Sequence, residues 1–423
     1  MSIGECIDMH TIEKALQLME NSELEKALKL LDSYEPTATD HEKFILAEFY
    51  VQWGFLNRAK NILQQLLKTY PDEGELKILL AHIYIEEHHD DLAIPLLSEI
   101  KPDDEAYLQA LVQLADLYES QGLYEVAEQK LLTAKRIAPQ EEIIDFALGE
   151  LLFSIGKYHR AIPFYEKITT DVIANVSIYS RLAESYAAIG KYEVALDYFR
   201  DEEHENPDTL FKYGFTAAQA NRNDIAIQMW EQLLKRDPLY YSVYAQLAKA
   251  YIEEKMPERA YRIAKKGLEK NEFDKELHFL AGKLANRLQK PSESERHVRE
   301  ALVLDPDYTE AVLFLIDLMK QRNDFSEVID LIRDVQQTGT NDPLYDWELA
   351  RAHYEMESYR EALKYYEKAY TNLNQNGDFL KEYGYFLIEE GRTSEAIPVF
   401  ESYLQIEPSD VEVYEFVERL KLD

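Results

Sequence analysis

Apolar and small residues recur along the chain in stripes with the spacing of a helix face. Residues 108–141 show this most clearly, with a first stripe at positions i, i+3, i+4 and i+7. This stripe is Leu111, Leu114, Ala115 and Tyr118. A second stripe follows a short polar stretch and consists of Ala127, Leu131 and Ala134. The pattern predicts two helices that approach each other closely at their small residues.

The same hairpin pattern recurs along the whole chain, which a search for internal repeats detects directly. Most intervals between the alanines of successive second helices are 34 residues, with exceptions of 32 and 31. These alanines are Ala27, Ala59, Ala93, Ala127, Ala161, Ala195, Ala226, Ala260, Ala362 and Ala396, with Ser294 and Val328 in the two gaps. Twelve repeats result, beginning near residues 8, 40, 74, 108, 142, 176, 207, 241, 275, 309, 343 and 377.

Turn residues occur at a constant position within these repeats. Position 15 carries Gly54, Gly122, Gly156, Gly190 and Gly391, and asparagine at Asn221 and Asn323. Glycine and asparagine tolerate the left-handed conformation that ends a helix. Position 32 carries Pro71, Pro139, Pro238, Pro306 and Pro408, where the second helix is expected to stop.

The pattern resembles the tetratricopeptide repeat (TPR) family, which places large, small and aromatic residues at positions 4, 7, 8, 11, 20, 24, 27 and 32. The last repeat matches with Leu380, Tyr383, Gly384, Leu387, Ala396, Phe400, Tyr403 and Pro408. The match covers residues 8–410. The resemblance implies an all-α, right-handed superhelical solenoid of about twelve helix-turn-helix repeats.

A domain organisation follows from the repeat register. We expect an N-terminal array over 1–206 (repeats 1–6) and a C-terminal array over 207–410 (repeats 7–12), continuous with the first. Residues 411–423 are expected to form a capping helix, because a terminal repeat has no neighbour to cover its apolar face. The apolar stripe expected on that helix is Tyr414, Val417 and Leu420. The short repeat at 176–206 also predicts a change in superhelical path near residues 200–207.

Charge and cysteine content narrow the functional classes. The net charge is −34, from 80 acidic and 46 basic residues. Such a field repels nucleic acids and anionic lipids and favours a partner with a basic segment, or simply keeps a long solenoid soluble. The single cysteine, Cys6, excludes an intrachain disulfide. We expect a cytoplasmic protein that binds no nucleic acid and is not inserted in a membrane, since the chain shows neither a signal peptide nor an apolar run of membrane-spanning length.

Catalytic motifs are absent from the sequence. The chain contains no P-loop, no G-x-G-x-x-G, no G-x-S-x-G and no H-E-x-x-H motif. The run His88-His89-Asp90-Asp91, with His82 nearby, has metal-ligand residue types, but such a run is far more typical of a solvated turn. We therefore expect no enzymatic activity, no metal site and no cofactor.

The resemblance implies that the first helices of the hairpins line a concave face, to which positions 5, 9 and 12 contribute. Position 9 changes from acidic to basic along the chain, which indicates either a functional gradient or ordinary solvation. Aromatic residues share this face, where they either bind a ligand or pack on the neighbouring helix. The predicted protein-binding residues are Phe44, Phe146, Phe153, Phe211, Phe215, Lys249, Lys283, Trp347, Arg351 and Tyr354. The trio of Trp347, Arg351 and Tyr354 has the composition of an interface hot spot.

These features favour a non-catalytic scaffold or adaptor that binds a polypeptide segment in its concave groove. The alternative is a peptide-responsive TPR regulatory sensor, although no added output domain is visible. The partner is a protein or peptide whose identity the sequence does not reveal, and self-association remains an option. The lysine–asparagine clamp of some TPR co-chaperones is disfavoured, because the corresponding N-terminal positions carry Glu48, His82, Asp116 and Glu150.

Overall fold

The computed structural model describes residues 9–21, 23–201, 206–337, 339 and 342–422. It divides into two compact units, residues 1–203 and residues 204–423. The prediction for Cys6 lies outside the described residues, as do residues 202–205 of the region where a change in path is predicted.

The N-terminal unit contains twelve helices in its described residues. They are α1 (Met9–Glu20), α2 (Leu24–Tyr34), α3 (Asp40–Gln52), α4 (Leu56–Thr69), α5 (Gly74–Glu86), α6 (Asp90–Ser98), α7 (Tyr107–Ser120), α8 (Tyr124–Ile137), α9 (Glu142–Ser154), α10 (Tyr158–Tyr165), α11 (Ile178–Ala188) and α12 (Tyr192–Asp201). A 3-10 turn, Glu35–Thr37, follows α2.

The C-terminal unit contains thirteen helices in its described residues. They are α13 (Pro207–Gln219), α14 (Asn223–Arg236), α15 (Ser242–Glu253), α16 (Pro257–Leu268), α17 (Lys275–Arg287), α18 (Pro291–Leu304), α19 (Thr309–Lys320), α20 (Phe325–Gln337), α21 (Pro343–Glu355), α22 (Tyr359–Leu373), α23 (Gly377–Glu389), α24 (Thr393–Ile406) and α25 (Val411–Leu420). The predicted all-α fold of twelve helical hairpins and a final helix is confirmed.

Each hairpin packs at the small residues that the repeat pattern singles out. All ten alanines at position 20 are fully buried, and so are Ser294 and Val328, which replace alanine in repeats 9 and 10. The hydroxyl of Ser294 donates a hydrogen bond of 2.8 Å to the carbonyl of Gly282 on the facing helix. A polar residue is therefore tolerated at this core position because its hydroxyl has a partner.

Glycine at position 8 makes room for an aromatic ring of the paired helix. A methyl group added to Gly149 would overlap the ring of Tyr165, and one added to Gly384 would overlap the ring of Phe400. In both repeats the aromatic residue lies at position 24 of the same hairpin. The missing side chain of one helix therefore makes room for the ring of the other.

The turn between the two helices has the same backbone geometry in eleven repeats. Position 15 has a positive φ in repeats 2 to 12. The glycines and asparagines predicted there adopt this conformation, and four further residues join them: His88, Lys255, Gln289 and Glu357. The residue after each turn donates a backbone hydrogen bond to a carbonyl five residues earlier, as Phe55 does to Tyr50 at 2.7 Å. This bond belongs to the Schellman motif, which satisfies a carbonyl left open at the helix end.

Repeat 5 departs from the regular pattern. Its second helix, α10, ends at Tyr165, and strands β1 (Val172–Ile173) and β2 (Val176–Ser177) then form an antiparallel pair. The two turn residues, Ala174 and Asn175, have φ of 49° and 62°. Positive φ at both residues is typical of a type I′ hairpin turn. The 34-residue interval is preserved, so the repeat pattern alone did not reveal this small β-hairpin.

The final helix, α25, caps the last hairpin in a register that differs from the prediction. Val413 and Val417 are buried in the cluster that contains Phe400 and Tyr403. The prediction for Tyr414 was wrong, because its side chain is 55% exposed. Val417 is buried as predicted, and Val413, one helical turn before it, takes the place of Tyr414 in the contact stripe.

Candidate protein-binding site

A cavity of about 490 Å³ lies on the face that the first helices of repeats 10, 11 and 12 form in the C-terminal unit. Its lining comes from α19, α20, α21, α22 and α23. Val328, Ala352 and Phe386 are buried residues of the hydrophobic core that also border the cavity. Tyr385 also borders the cavity and is 39% exposed.

Arg351 of α21 is bonded to two carboxylates of this cavity. Its Nε lies 2.9 Å from both carboxylate oxygens of Glu382, and its Nη2 lies 2.5 Å from Oε2 of the same residue. Its Nη1 donates to Glu348 at 2.7 Å. Charge-assisted bonds of this kind are the stronger hydrogen bonds of proteins. The guanidinium is therefore held between repeats 11 and 12.

Glu382 is the acceptor at the centre of a larger network. The indole of Trp347 and the hydroxyl of Tyr366 each donate to its Oε1 at 2.8 Å. Burial would raise the pKa of Glu382, but the bonds from Arg351, Trp347 and Tyr366 outweigh it and hold the pKa below its ordinary value. Burial and the adjacent carboxylate raise the pKa of Tyr366. Glu382 is thus a charged carboxylate at neutral pH.

The other charged side chains of the cavity differ in whether they have a bonded partner of opposite charge. Lys320 of α19 donates to Glu348 at 2.9 Å, so both cations of the lining are bonded to carboxylates. Glu389 of α23 accepts a bond of 2.7 Å from the hydroxyl of Tyr354, which raises the pKa of that tyrosine to about 12. Glu355 at the end of α21 is exposed and forms no hydrogen bond or ion pair with the described residues. The cavity therefore keeps two carboxylates without a cation.

The predicted trio of Trp347, Arg351 and Tyr354 is brought together here, with a different role for each member. Trp347 is only 8% exposed, and the guanidinium carbon of Arg351 lies 3.9 Å from its ring centroid. Packing against the neighbouring helices is therefore the better interpretation of Trp347. Arg351 and Tyr354 line the cavity directly.

The other predicted residues of the C-terminal unit lie apart from this cavity. Phe211 and Phe215 stack with ring centroids 6.4 Å apart, and Phe215 is 44% exposed. Lys249 is exposed and has no ion pair among the described residues. The ammonium of exposed Lys283 lies 5.3 Å from the centroid of the Phe279 ring.

The predicted residues of the N-terminal unit are partly used in packing. Phe146 is 8% exposed and belongs to the core cluster of repeats 5 and 6, so it is not available as an exposed anchor. Phe153 is partly buried, with the guanidinium carbon of Arg181 at 4.6 Å from its ring centroid. Phe44 borders a separate cavity of about 310 Å³ with Asp40, His41 and Tyr70, among others.

Two acidic residues at position 9 of the N-terminal unit differ in their surroundings. Glu150 is paired, since Nε of Arg181 lies 2.7 Å from its Oε1. Asp116 has no such cation among the residues that the structure describes. Burial among the first helices is the larger cause that raises the pKa of Asp116 to about 6, and repulsion from Glu119 is the smaller one.

The residues that complete the cavity were not predicted from the sequence. Glu348 and Glu382 lie at position 6, Tyr385 at position 9, and Glu355 and Glu389 at position 13 of their repeats. Extending the position-9 series from Arg351 to repeat 12 would have identified Tyr385. A second signal is a charge at position 6 that is opposite to the charge at position 9 of the preceding repeat. Arg181 stands in this relation to Glu150, and Glu382 stands in this relation to Arg351.

The histidine and carboxylate side chains do not gather into a metal site in the described part of the chain. No group of three or more His, Cys, Asp or Glu residues is arranged there to hold a metal ion. His88 of the candidate cluster is the left-handed turn residue of repeat 3, with φ of 60°. None of the described helices combines the length and the apolar character needed to cross a membrane.

Comparison with known proteins identifies relatives along the whole chain. Family models match residues 343–410 (YpiA-like, C-terminal tetratricopeptide repeats), 119–172 (YpiA-like, tetratricopeptide repeats), 208–239 (tetratricopeptide repeat) and 6–122 (tetratricopeptide repeat protein 21 ARM repeat). TPR repeat-containing protein YpiA of Bacillus subtilis (strain 168) is 39% identical over 414 residues, which cover 97% of this chain and 98% of that protein.

Two solved structures are similar to this chain at lower identity. The APC/C hetero-tetramer Cut9–Hcn1 matches 96% of this chain and 94% of its own, with 13% identity and a TM-score of 0.38. YrrB, described as a TPR protein with an unusual peptide-binding site, matches 43% of this chain and 95% of its own, with 18% identity and a TM-score of 0.38. The twelve hairpins, the repeat register and the full-length relative together place this chain in the YpiA-like family of tetratricopeptide-repeat proteins.

Proposed function

We propose that this protein acts by binding other polypeptides, as a scaffold or adaptor without catalytic activity or cofactor, in the cytoplasm. The observation that supports the proposal is the cavity on the first-helix face of repeats 10 to 12. It combines the exposed ring of Tyr385, the half-buried ring of Tyr354 and a few charged groups. Apolar walls with a small number of placed polar groups are typical of ligand sites. Tetratricopeptide repeats generally mediate protein interactions, which agrees with this assignment.

The cavity is also organised before any ligand arrives. Arg351 is held by Glu348 and Glu382, and Glu382 is held in turn by Trp347 and Tyr366. Side chains that are already ordered lose little conformational entropy on binding. A segment entering this cavity would therefore meet fixed walls.

Affinity purification with matched variants tests the proposal. The tagged protein and its Tyr385→Ala variant are used to capture partners from cells that express the protein, and mass spectrometry quantifies the captured proteins. Tyr414→Ala serves as the control, because Tyr414 is 55% exposed on α25 and does not line the cavity. Thermal unfolding of all three proteins verifies that they are folded.

We expect Tyr385→Ala to lower the recovery of a specific partner about tenfold or more, since loss of a buried aromatic contact costs about 2 kcal/mol at a hot spot. Tyr414→Ala should leave recovery unchanged. Equal recovery with all three proteins would show that the binding site lies elsewhere.

A further inference from the structure

We infer that the segment bound in this cavity is basic, and that Glu355 and Glu389 receive the cationic side chain of a lysine or arginine from it. The inference rests on the proposed function and adds the chemistry of the partner. Arg351 at position 9, taken alone, would suggest an acidic ligand for this region, and its bonded partners reverse that interpretation.

The charges of the lining decide the sign of the ligand. The cavity is lined by four carboxylates and two cations. Lys320 is bonded to Glu348, and Arg351 is bonded to Glu348 and Glu382. Neither cation is left to attract an acidic group, because an incoming carboxylate would compete with bonds of 2.5–2.9 Å.

The two remaining carboxylates have unused capacity. Glu355 forms no hydrogen bond or ion pair with the described residues, and Glu389 accepts one hydrogen bond, from Tyr354. An ionised carboxylate can accept about four hydrogen bonds. Both glutamates lie at position 13 of their repeats, at the ends of neighbouring first helices, and border the same cavity. An ammonium or guanidinium group that enters the cavity therefore meets two carboxylates that have no cation among the described residues.

The surrounding surface suits the rest of a basic side chain. The rings of Tyr354, Tyr385 and Phe386 line the cavity beside the glutamates. Aromatic faces attract cations and also cover the aliphatic stem of lysine or arginine. The net charge of −34 adds a long-range attraction for a basic segment. A polypeptide segment can also place neighbouring side chains and backbone groups against the aromatic walls, which a free polyamine does not have.

Selection from a random peptide library displayed on phage identifies the ligand chemistry directly. The full-length protein is used as bait, and the selected peptides are sequenced and then titrated by fluorescence anisotropy. Glu355→Gln/Glu389→Gln is the test variant, since glutamine removes the charge and keeps an acceptor for the hydroxyl of Tyr354. Glu412→Gln/Glu415→Gln is the matched control, with the same change of charge at exposed positions of α25 that do not line the cavity.

The expected result is a library enriched in lysine and arginine. Selected peptides should bind Glu355→Gln/Glu389→Gln about tenfold more weakly than the unsubstituted protein, because two partly exposed ion pairs contribute about 1.4 kcal/mol together. Binding to the control variant should change less than about twofold by the same measure. Binding should also weaken as salt is raised.

The outcomes separate this inference from the proposed function. Peptides without basic enrichment, or basic peptides that bind the glutamine variant as tightly, would overturn the inference. If such peptides still lose affinity for Tyr385→Ala, the cavity binds polypeptides and only the assigned chemistry is wrong. Peptides insensitive to all three variants, or a selection that yields no binders, would contradict both.

Discussion

The guanidinium of Arg351 lies between the indole of Trp347 and the carboxylate of Glu382. Its carbon is 3.9 Å from the Trp347 ring centroid, and its Nε is 2.9 Å from each oxygen of Glu382. Glu382 also accepts hydrogen bonds from Trp347 and Tyr366. One carboxylate thus connects the last two hairpins through three donors.

Removing the charge of Glu382 should destabilise the C-terminal unit. Glu382→Gln leaves the partly buried Arg351 with Glu348 as its carboxylate partner and weakens two further bonds. We expect the free energy of unfolding to fall by about 2–3 kcal/mol. Chemical denaturation with Glu355→Gln as the control measures the effect, since Glu355 has no bonded partner to lose. Equal stability of the two variants would contradict the role assigned to Glu382.

The same contact predicts a pH dependence. The pKa of Glu382 is lower in the folded than in the unfolded chain, so its contribution is fully present above the unfolded value of about 4.5. It is lost as the pH falls through the folded pKa. The stabilities of the unsubstituted protein and Glu382→Gln should therefore converge in acid. A constant difference down to the acid transition would count against this explanation.

His297 predicts a second loss of stability at a higher pH. The residue is 6% exposed, and burial lowers its pKa from 6.5 to about 4. Its charged neighbours Arg296 and Lys265 lower the pKa further, Glu293 opposes them, and its Nδ1 lies 3.3 Å from Nδ1 of His278. Between pH 6.5 and about pH 4, the unfolded chain binds a proton at this histidine that the folded chain does not bind. Stability therefore falls as the pH falls through this window.

We expect about 3 kcal/mol of this pH-dependent loss to disappear in His297→Phe. Denaturation curves between pH 7 and pH 4 measure it, and His159→Gln at an exposed position is the control. A His297→Phe curve parallel to that of the unsubstituted protein would show that another group causes the loss.

Asp116 should have the opposite pH dependence. Its pKa is raised to about 6, so the folded chain retains a proton that the unfolded chain has already released. Stability therefore falls as the pH rises from about 4 to about 6. Asp116→Asn should remove that fall and unfold at a higher temperature than the unsubstituted protein at pH 7, with no advantage at pH 4. NMR titration of the Asp116 carboxyl gives the pKa independently, and a value near 4 would refute the prediction.

Residues other than glycine in the left-handed turns are positions where substitution by glycine should raise the stability of the protein. Lys255 and Glu357 have φ of 58° and 55°, a conformation that costs residues other than glycine about 1–2 kcal/mol. Lys255→Gly and Glu357→Gly should each raise the free energy of unfolding by about 0.5–1 kcal/mol, after the larger chain entropy of glycine is subtracted. Gly122→Ala should lower it, although open space surrounds that position. Stabilisation by this alanine would contradict the backbone argument.

The sequence predicted what each repeat must contain, and it failed where geometry between neighbours decides. Ala161 and the other position-20 alanines are buried as expected, because close helix packing requires a small residue whatever the surroundings. Lys255 and Glu357 have no intrinsic preference for the left-handed turn, so their residue types do not predict it and only their position 15 in the repeat does. Trp347, Arg351 and Tyr354 lie near one another on α21, as their spacing in the sequence predicts. The bonds of Trp347 and Arg351 to Glu382, however, depend on the offset between two repeats. That offset is not written in either repeat alone.

The glycine–aromatic contacts also limit how the repeats can be recombined. Gly149 and Tyr165 divide one volume between two helices of a single hairpin, as do Gly384 and Phe400, whereas Ala115 faces Leu131 in repeat 4. A transplanted hairpin carries both members of its pair and keeps their combined size. A transplanted first helix with alanine in place of Gly149 or Gly384 would overlap the ring of Tyr165 or Phe400. For repeats 5 and 12, the exchangeable module is therefore the hairpin and not the helix.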